Sequence, residues 1–86
     1  MNITEAVYTI KTIFPDLSIH YADDSTVATI TILDDYINMA YLIQQTPDTL
    51  IFNTAQCNYD KFSEILGLFD VHIVAQTMSE INAEIT

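Results

Sequence analysis

Leu17-Ser18-Ile19-His20-Tyr21 and, after a short break, Val27-Ala28-Thr29-Ile30-Thr31-Ile32 are the stretches that decide the fold. In both, large apolar residues recur at every second position. Leu17, Ile19 and Tyr21 alternate with Ser18 and His20, and Ala28, Ile30 and Ile32 alternate with Thr29 and Thr31, the period of a strand with one covered face. Asp23-Asp24-Ser25 supplies a turn between them. Asp34-Asp35 breaks the pattern, Ile37, Met39, Tyr41 and Ile43 resume it, and Thr46-Pro47-Asp48 turns the chain again before Leu50-Ile51-Phe52. Turns this short join antiparallel neighbours, so the centre of the chain reads as a meander. The stretch from Asp35 to Gln45 also admits a helix, because Tyr36, Met39, Ala40 and Ile43 fit one that Asp34 would cap. The β-favouring residues Thr31, Tyr36, Ile37 and Tyr41 weigh towards strand.

Outward from the meander the period changes. Ile3, Ala6, Val7, Ile10, Ile13 and Phe14 recur at helical spacing behind Asn2 and Glu5, a capping pair, and Pro15-Asp16 ends the run. On the other side, Asn58 is placed to cap a second helix with the apolar stripe Tyr59, Phe62, Ile65, Leu66 and Phe69. Val71 to Ala75 is short and β-rich, and Thr77 with Glu80 reads as a capping box that predicts a short C-terminal helix over 78–85. The expected architecture is one α+β domain over residues 1–86: an antiparallel meander of three to five strands, an N-terminal helix and one or two C-terminal helices.

The charge balance is the most unusual property. Twelve acids face two lysines, Lys11 and Lys61, with no arginine, for a formal net charge of −10 in 86 residues. Such a chain cannot neutralise a row of phosphates and is repelled by DNA, RNA and anionic membranes. It attracts the basic cleft of another protein. Half of the residues are apolar, which argues against disorder, yet no apolar run approaches the ~20 residues of a membrane span. The opening Met1-Asn2-Ile3-Thr4-Glu5 has neither a basic nor an apolar leader region, so the expected location is the cytoplasm.

Catalytic equipment is sparse. Gly67 is the only glycine, so no glycine-rich phosphate loop exists. Cys57 cannot form an internal disulfide and has no companion at a metal-binding spacing, which makes it a plain packing or surface thiol. His20 and His72 fall on strands, where a histidine usually occupies a polar or partly covered face; pairing either with Cys57 has no local support. The carboxylate pairs Asp23-Asp24 and Asp34-Asp35 lack the alternating oxygen ligands of a calcium loop. These features predict a non-enzymatic protein with no cofactor and no metal.

The acids remain. Asp23, Asp24, Asp34, Asp35, Asp48 and Asp70 fall in turns or at element ends, and Asp60 and Glu64 stand four apart on one face of the second helix. In a meander the first and third turns share one end of the sheet. Asp23, Asp24 and Asp48 should therefore gather there, with Asp34 and Asp35 at the other end, ~20 to 25 Å away. Carboxylates spread this way can stand in for phosphates along a duplex groove. The plainer alternative, that they keep a half-apolar protein soluble, needs less charge than this and no exclusion of arginine. These eight acids form the candidate partner-binding set. A different class of function, a small homodimeric structural or regulatory interaction module, would bury a strand edge or apolar patch, with Tyr8, Tyr36, Tyr41 and Tyr59 as anchors.

The combination resembles the small acidic inhibitors made by phages and mobile elements that look like DNA to their targets: anti-CRISPR proteins, anti-restriction proteins and uracil-glycosylase inhibitors. Met1-Asn2-Ile3 with Ile10-Lys11 is similar to the start of some anti-CRISPR proteins of about this length. The chain departs from the most acidic members in lacking dense Glu and Asp runs, with 16% charged residues. The resemblance implies a stoichiometric inhibitor, acting in the host cytosol if phage-encoded. It would occupy the basic nucleic-acid-binding cleft of a CRISPR nuclease or other defence nuclease, such as the site that reads the PAM.

Overall fold

The computed structural model describes residues 1–32, 35–55, 59–77 and 80–86. Their order is α1 (Ile3–Ile13), β1 (Leu17–Tyr21), β2 (Val27–Ile32), β3 (Asp35–Thr46), β4 (Thr49–Ala55), α2 (Tyr59–Leu66), β5 (Val71–Gln76) and β6 (Glu80–Ile85). The strands form one sheet in the order β1-β2-β3-β4-β6-β5, with every neighbouring pair antiparallel. The α+β class, the N-terminal helix and the strand at Asp35–Thr46 match the sequence expectation. The strand number and the C-terminal helix do not.

Six strands replace three to five, because Glu80–Ile85 of the expected 78–85 helix form strand β6; residues 78 and 79 lie outside the described residues. Thr77 N–H donates to the Glu80 carbonyl (2.8 Å), so the Thr77/Glu80 spacing marks a hairpin turn rather than a capping box. Chain direction explains where β6 goes. From β4 the chain crosses through α2 and returns as β5 in the same direction as β4, leaving one strand position vacant between them. β6 folds back into that position, pairing Leu50 with Ile85, Phe52 with Ala83 and Thr54 with Ile81. One helix, α2, therefore follows the meander, and it is followed by two more strands.

The register places nearly the whole core on one face of the sheet. Leu17, Ile19, Ala28, Ile30, Ala40, Leu42, Leu50, Phe52, Ile81, Ala83 and Ile85 are buried there beneath both helices. α1 contributes Ile3, Ala6, Val7 and Ile10 and lies over β2 and β3. α2 contributes Phe62, Ile65 and Leu66; the Phe62 ring meets that of Phe52 at 6.2 Å between centroids, tilted by 59°. Such a pair adds ~0.5–1.5 kcal/mol beyond its buried area. In β3 the buried residues are Ala40 and Leu42, so the expected inward set Met39, Tyr41 and Ile43 faces the other way. β3 is apolar on both faces, and its pairing with Ala28 and Ile30 of β2 decides which face is covered.

Capping and a side-chain clamp orient α1. Asn2 Oδ1 accepts from Glu5 N–H (2.9 Å), as the sequence predicts. Ile3 N–H donates to Gln44 Oε1 on β3 (2.8 Å), and Gln44 Nε2 donates to the carbonyls of Thr46 (2.8 Å) and Thr49 (3.2 Å). One amide thus ties the start of α1 to the β3–β4 turn. We expect Gln44→Leu to cost about 1–3 kcal/mol in urea unfolding with an unchanged slope. Gln44→Glu, which keeps the acceptor beside the positive helix end but loses the donor, should cost less.

Candidate binding surface

The two ends of the sheet differ in charge. The near end carries the turn between β1 and β2, the turn between β3 and β4, the start of β5 and the end of β6. The far end carries Leu17, Asp35, Gln76 and Glu80. Because α1 starts beside Gln44 and runs away from it, while α2 connects β4 to β5, Lys11 in the last turn of α1 and Lys61 in the first turn of α2 both belong to the far end. The near end has Asp23, Asp24, Asp48 and Asp70, all exposed, and no lysine.

Asp23, Asp24 and Asp48 share one end as the meander predicts, and Asp35 stands at the other; Asp34 lies outside the described residues. Asp60 is in the first turn of α2 at the far end, and exposed Glu64 lies one turn further along. Asp70, already in the candidate set, is the one whose end of the sheet the sequence leaves open. It joins the near end because β6 fills the slot between β4 and β5 and holds the start of β5 level with Leu50 through Ile85. The Asp70 carbonyl accepts from Thr86 N–H (2.9 Å) and Thr86 Oγ1 (3.1 Å), which fixes that corner. With strands ~4.8 Å apart, Asp23/Asp24, Asp48 and Asp70 form a row in steps of ~10 and ~12 Å. Glu84, on the uncovered sheet face near the same end, and Glu5, in the first turn of α1, add to this field. Steps of about one Debye length in physiological salt let the acids repel one another only weakly. A basic surface approaching the end would meet them together.

The turn holding Asp23 and Asp24 is well defined. Ala22 N–H donates to the Val27 carbonyl (2.8 Å) and Ser25 N–H to the Ala22 carbonyl (2.9 Å), with Ser25 in the left-handed region at φ 60°. Asp24 Oδ1 accepts from Thr26 N–H (3.1 Å) and Thr26 Oγ1 (2.8 Å). The Thr26 backbone N–H, and after it the hydroxyl, hold the Asp24 carboxyl below the usual aspartate range, so this exposed acid stays ionised. At the next turn, Asp48 N–H donates to Thr46 Oγ1 (3.2 Å) and leaves the Asp48 carboxylate exposed.

The histidines do not converge. His20 and His72 lie on β1 and β5, the opposite edges of the sheet, five strand spacings or ~24 Å apart. Cys57 lies outside the described residues. Among the described residues no group of three or more His, Cys, Asp or Glu is arranged to hold a metal ion. Of the tyrosine anchors, Tyr8 is 74% exposed on α1 and Tyr41 is half-buried on the uncovered sheet face. The side chains of Tyr36 and Tyr59 lie outside the described set. No helix is long and apolar enough to cross a membrane among the described residues.

Compared with protein-family models, with curated proteins and with solved structures, the chain matches none. Functional assignment therefore rests on the chemistry of the surface itself.

The Asp24 contact gives a direct check on that surface. A depressed carboxyl contributes stability that is present above the ordinary aspartate pKa and is lost as pH falls through the lowered value. Side-chain NMR titration should find the Asp24 midpoint below that of an aspartate peptide. Thr26→Val, which removes the hydroxyl and keeps the backbone donor, should raise the midpoint part of the way back. An unchanged midpoint in the variant would mean that the hydroxyl contact is absent in solution.

Proposed function

We propose that this chain is a non-enzymatic binding protein whose near end engages a basic surface of another protein, the nucleic-acid-binding cleft of a defence nuclease or related enzyme, and blocks access of DNA to it. The observation that carries this reading is the row Asp23, Asp24, Asp48 and Asp70, set in fixed turns at the one end of the sheet that has no lysine. Steps of ~10–12 Å are comparable with the ~12 Å width of a DNA major groove, across which phosphate rows face one another. Clefts that bind duplexes through rows of Lys and Arg can accept carboxylates in the same places. Asp35 and Asp60 belong to the end of the sheet that also carries Lys11 and Lys61 and are peripheral in this reading. The site of action is the cytosol, where such enzymes meet DNA.

Affinity capture from host lysate tests it, comparing the parent with the variant Asp23→Asn/Asp24→Asn/Asp48→Asn/Asp70→Asn. Asn at position 24 keeps an acceptor for Thr26, so the turn should persist. The parent should retain a basic nucleic-acid-binding protein at ~0.1 M salt and release it at ~0.5 M, where the Debye length falls from ~10 Å to about half that. Duplex DNA should compete for it. The folded variant should not retain it, and equal retention by the variant would sink the proposal.

A further inference from the structure

β5 stands largely in solvent at one edge of the sheet. Every residue from His72 to Gln76 is exposed, including Ile73 at 42% and Val74 at 57%. Ile73 is paired with Ala83, which is buried under the helices, so Ile73 points to the helix side. It stays bare there because α2 packs through Phe62 on Phe52 of β4, two strand positions inward.

The main-chain groups that β5 leaves open follow from its pairing. Thr86 N–H donates to the Asp70 carbonyl, so Asp70 and Thr86 are a hydrogen-bonded pair, and by the alternation of an antiparallel ladder His72 and Glu84 are the next. Asp70 and His72 therefore turn their main-chain groups inward to β6. Val71 and Ile73 turn theirs outward to the open edge. The register shift between Ile73 and Ala75 ends this stretch, which places it at the near end of the sheet. Edges are normally blunted by lysine, proline or inward charge, and Val71-His72-Ile73-Val74-Ala75-Gln76 contains none of these.

The charge around the stretch has one sign. No strand carries a lysine: Lys11 is on α1 and Lys61 on α2, the helices packed on the opposite face. On the uncovered face Glu84 of β6 stands across from His72, and Asp70 directly precedes Val71. A second copy does not suit this edge, because its β5 has no lysine or arginine and it brings a further net charge of −10. Nucleic acid is repelled on the same ground.

We propose that the edge at Val71 and Ile73 is a strand-addition site for an extended cationic segment of another protein. The open N–H and C=O groups select an extended main chain. Alternation then sets the chemistry of its two faces. Side chains on the helix side lie beside Val71 and Ile73 and are apolar, covering the bare Ile73. Those on the other side lie two strand spacings, ~10 Å, from Glu84, a gap that a lysine or arginine and the glutamate close by reaching towards each other over His72. The site shares Asp70 with the acidic row and is otherwise separate from it, so it stands whether or not that row engages a basic cleft.

Two capped synthetic peptides of about seven residues test this, one with valine alternating with lysine and one with valine alternating with glutamate. Each is titrated to roughly millimolar concentration into the labelled full chain and followed by amide NMR shifts and hydrogen exchange. The lysine peptide should shift the amides of Val71 and Ile73 saturably and slow their exchange. The glutamate peptide should bind roughly tenfold more weakly or worse. Ile73→Pro removes an outward N–H and leaves the bonds to β6, so the β6 amides should keep their exchange rates while the lysine peptide binds at least roughly tenfold more weakly. Asp70→Asn/Glu84→Gln, which keeps the Asp70 carbonyl contact to Thr86, should narrow the preference for lysine over glutamate severalfold. Asp23→Asn/Asp48→Asn, in the turns away from β5, should leave it unchanged. The proposal is overturned if the lysine peptide produces no saturable shift, if both peptides bind equally, or if the shifts centre on the turns of Asp23, Asp24 and Asp48. Protection of Val71 and Ile73 that rises with protein concentration alone would assign the edge to a second copy and overturn it too.

Discussion

The placement of β6 between β4 and β5 is the constraint on which the rest of the structure depends. Ile81, Ala83 and Ile85 are all buried, opposite Thr54, Phe52 and Leu50, and they complete the floor on which α2 rests. Without β6, β5 would have no hydrogen-bonded neighbour and the crossover through α2 would end on an open gap. The pairing joins residues about thirty positions apart, so its loop must close before the contact can stabilise anything. Local preference does not favour it, because Asn82, Ala83 and Glu84 are poor strand formers. Burial of the alternate apolar residues under Phe62, Ile65 and Leu66 overrides that preference.

From this placement follow two surfaces with different physics. β6 holds the start of β5 at the near end, which brings Asp70 into line with Asp48 and with Asp23 and Asp24. The same hairpin pushes β5 to the outside of the sheet, beyond the reach of α2. An acidic row and an uncharged edge therefore meet at one corner of the molecule. The first attracts through a long-range field that salt weakens. The second offers main-chain hydrogen-bonding groups and apolar side chains, whose contacts salt does not weaken. On the other sheet face Val27, Met39, Tyr41 and Ile43 are half-buried beside the buried Thr31 and Ile51. They form a third surface without carboxylates on β2, β3 or β4 at those rows.

Where local pattern and burial agree, the sequence was readable: α1 with its Asn2 cap, β1, β2, the two near-end turns and α2. The gathering of Asp23, Asp24 and Asp48 was readable too, because it needs only the parity of meander turns. β3 was legible as a strand but not in phase, since apolar residues occupy both faces and only the pairing with β2 chooses Ala40 and Leu42 as the inward set. β6 was misread because Thr77 and Glu80 imitate a capping box, although Ile81, Ala83 and Ile85 do alternate with Asn82 and Glu84. With it went the placement of Asp70, though not its membership of the candidate set. The position of an acid at an element end can be inferred locally, but the end of the sheet it joins depends on where the following strand inserts.

Cross-strand contacts between β4 and β6 offer the most direct measurement of this account. In a nuclear Overhauser experiment on the labelled protein, the backbone protons of Phe52 and Ala83, and of Leu50 and Ile85, should show the strong long-range contacts of an antiparallel pair. The amides of Ile81 to Ile85 should exchange as slowly as those of β3. Sequential helical contacts between residues three apart in 80–85, with no contact to β4, would contradict the account. They would remove both the fourth member of the acidic row and the exposed edge strand.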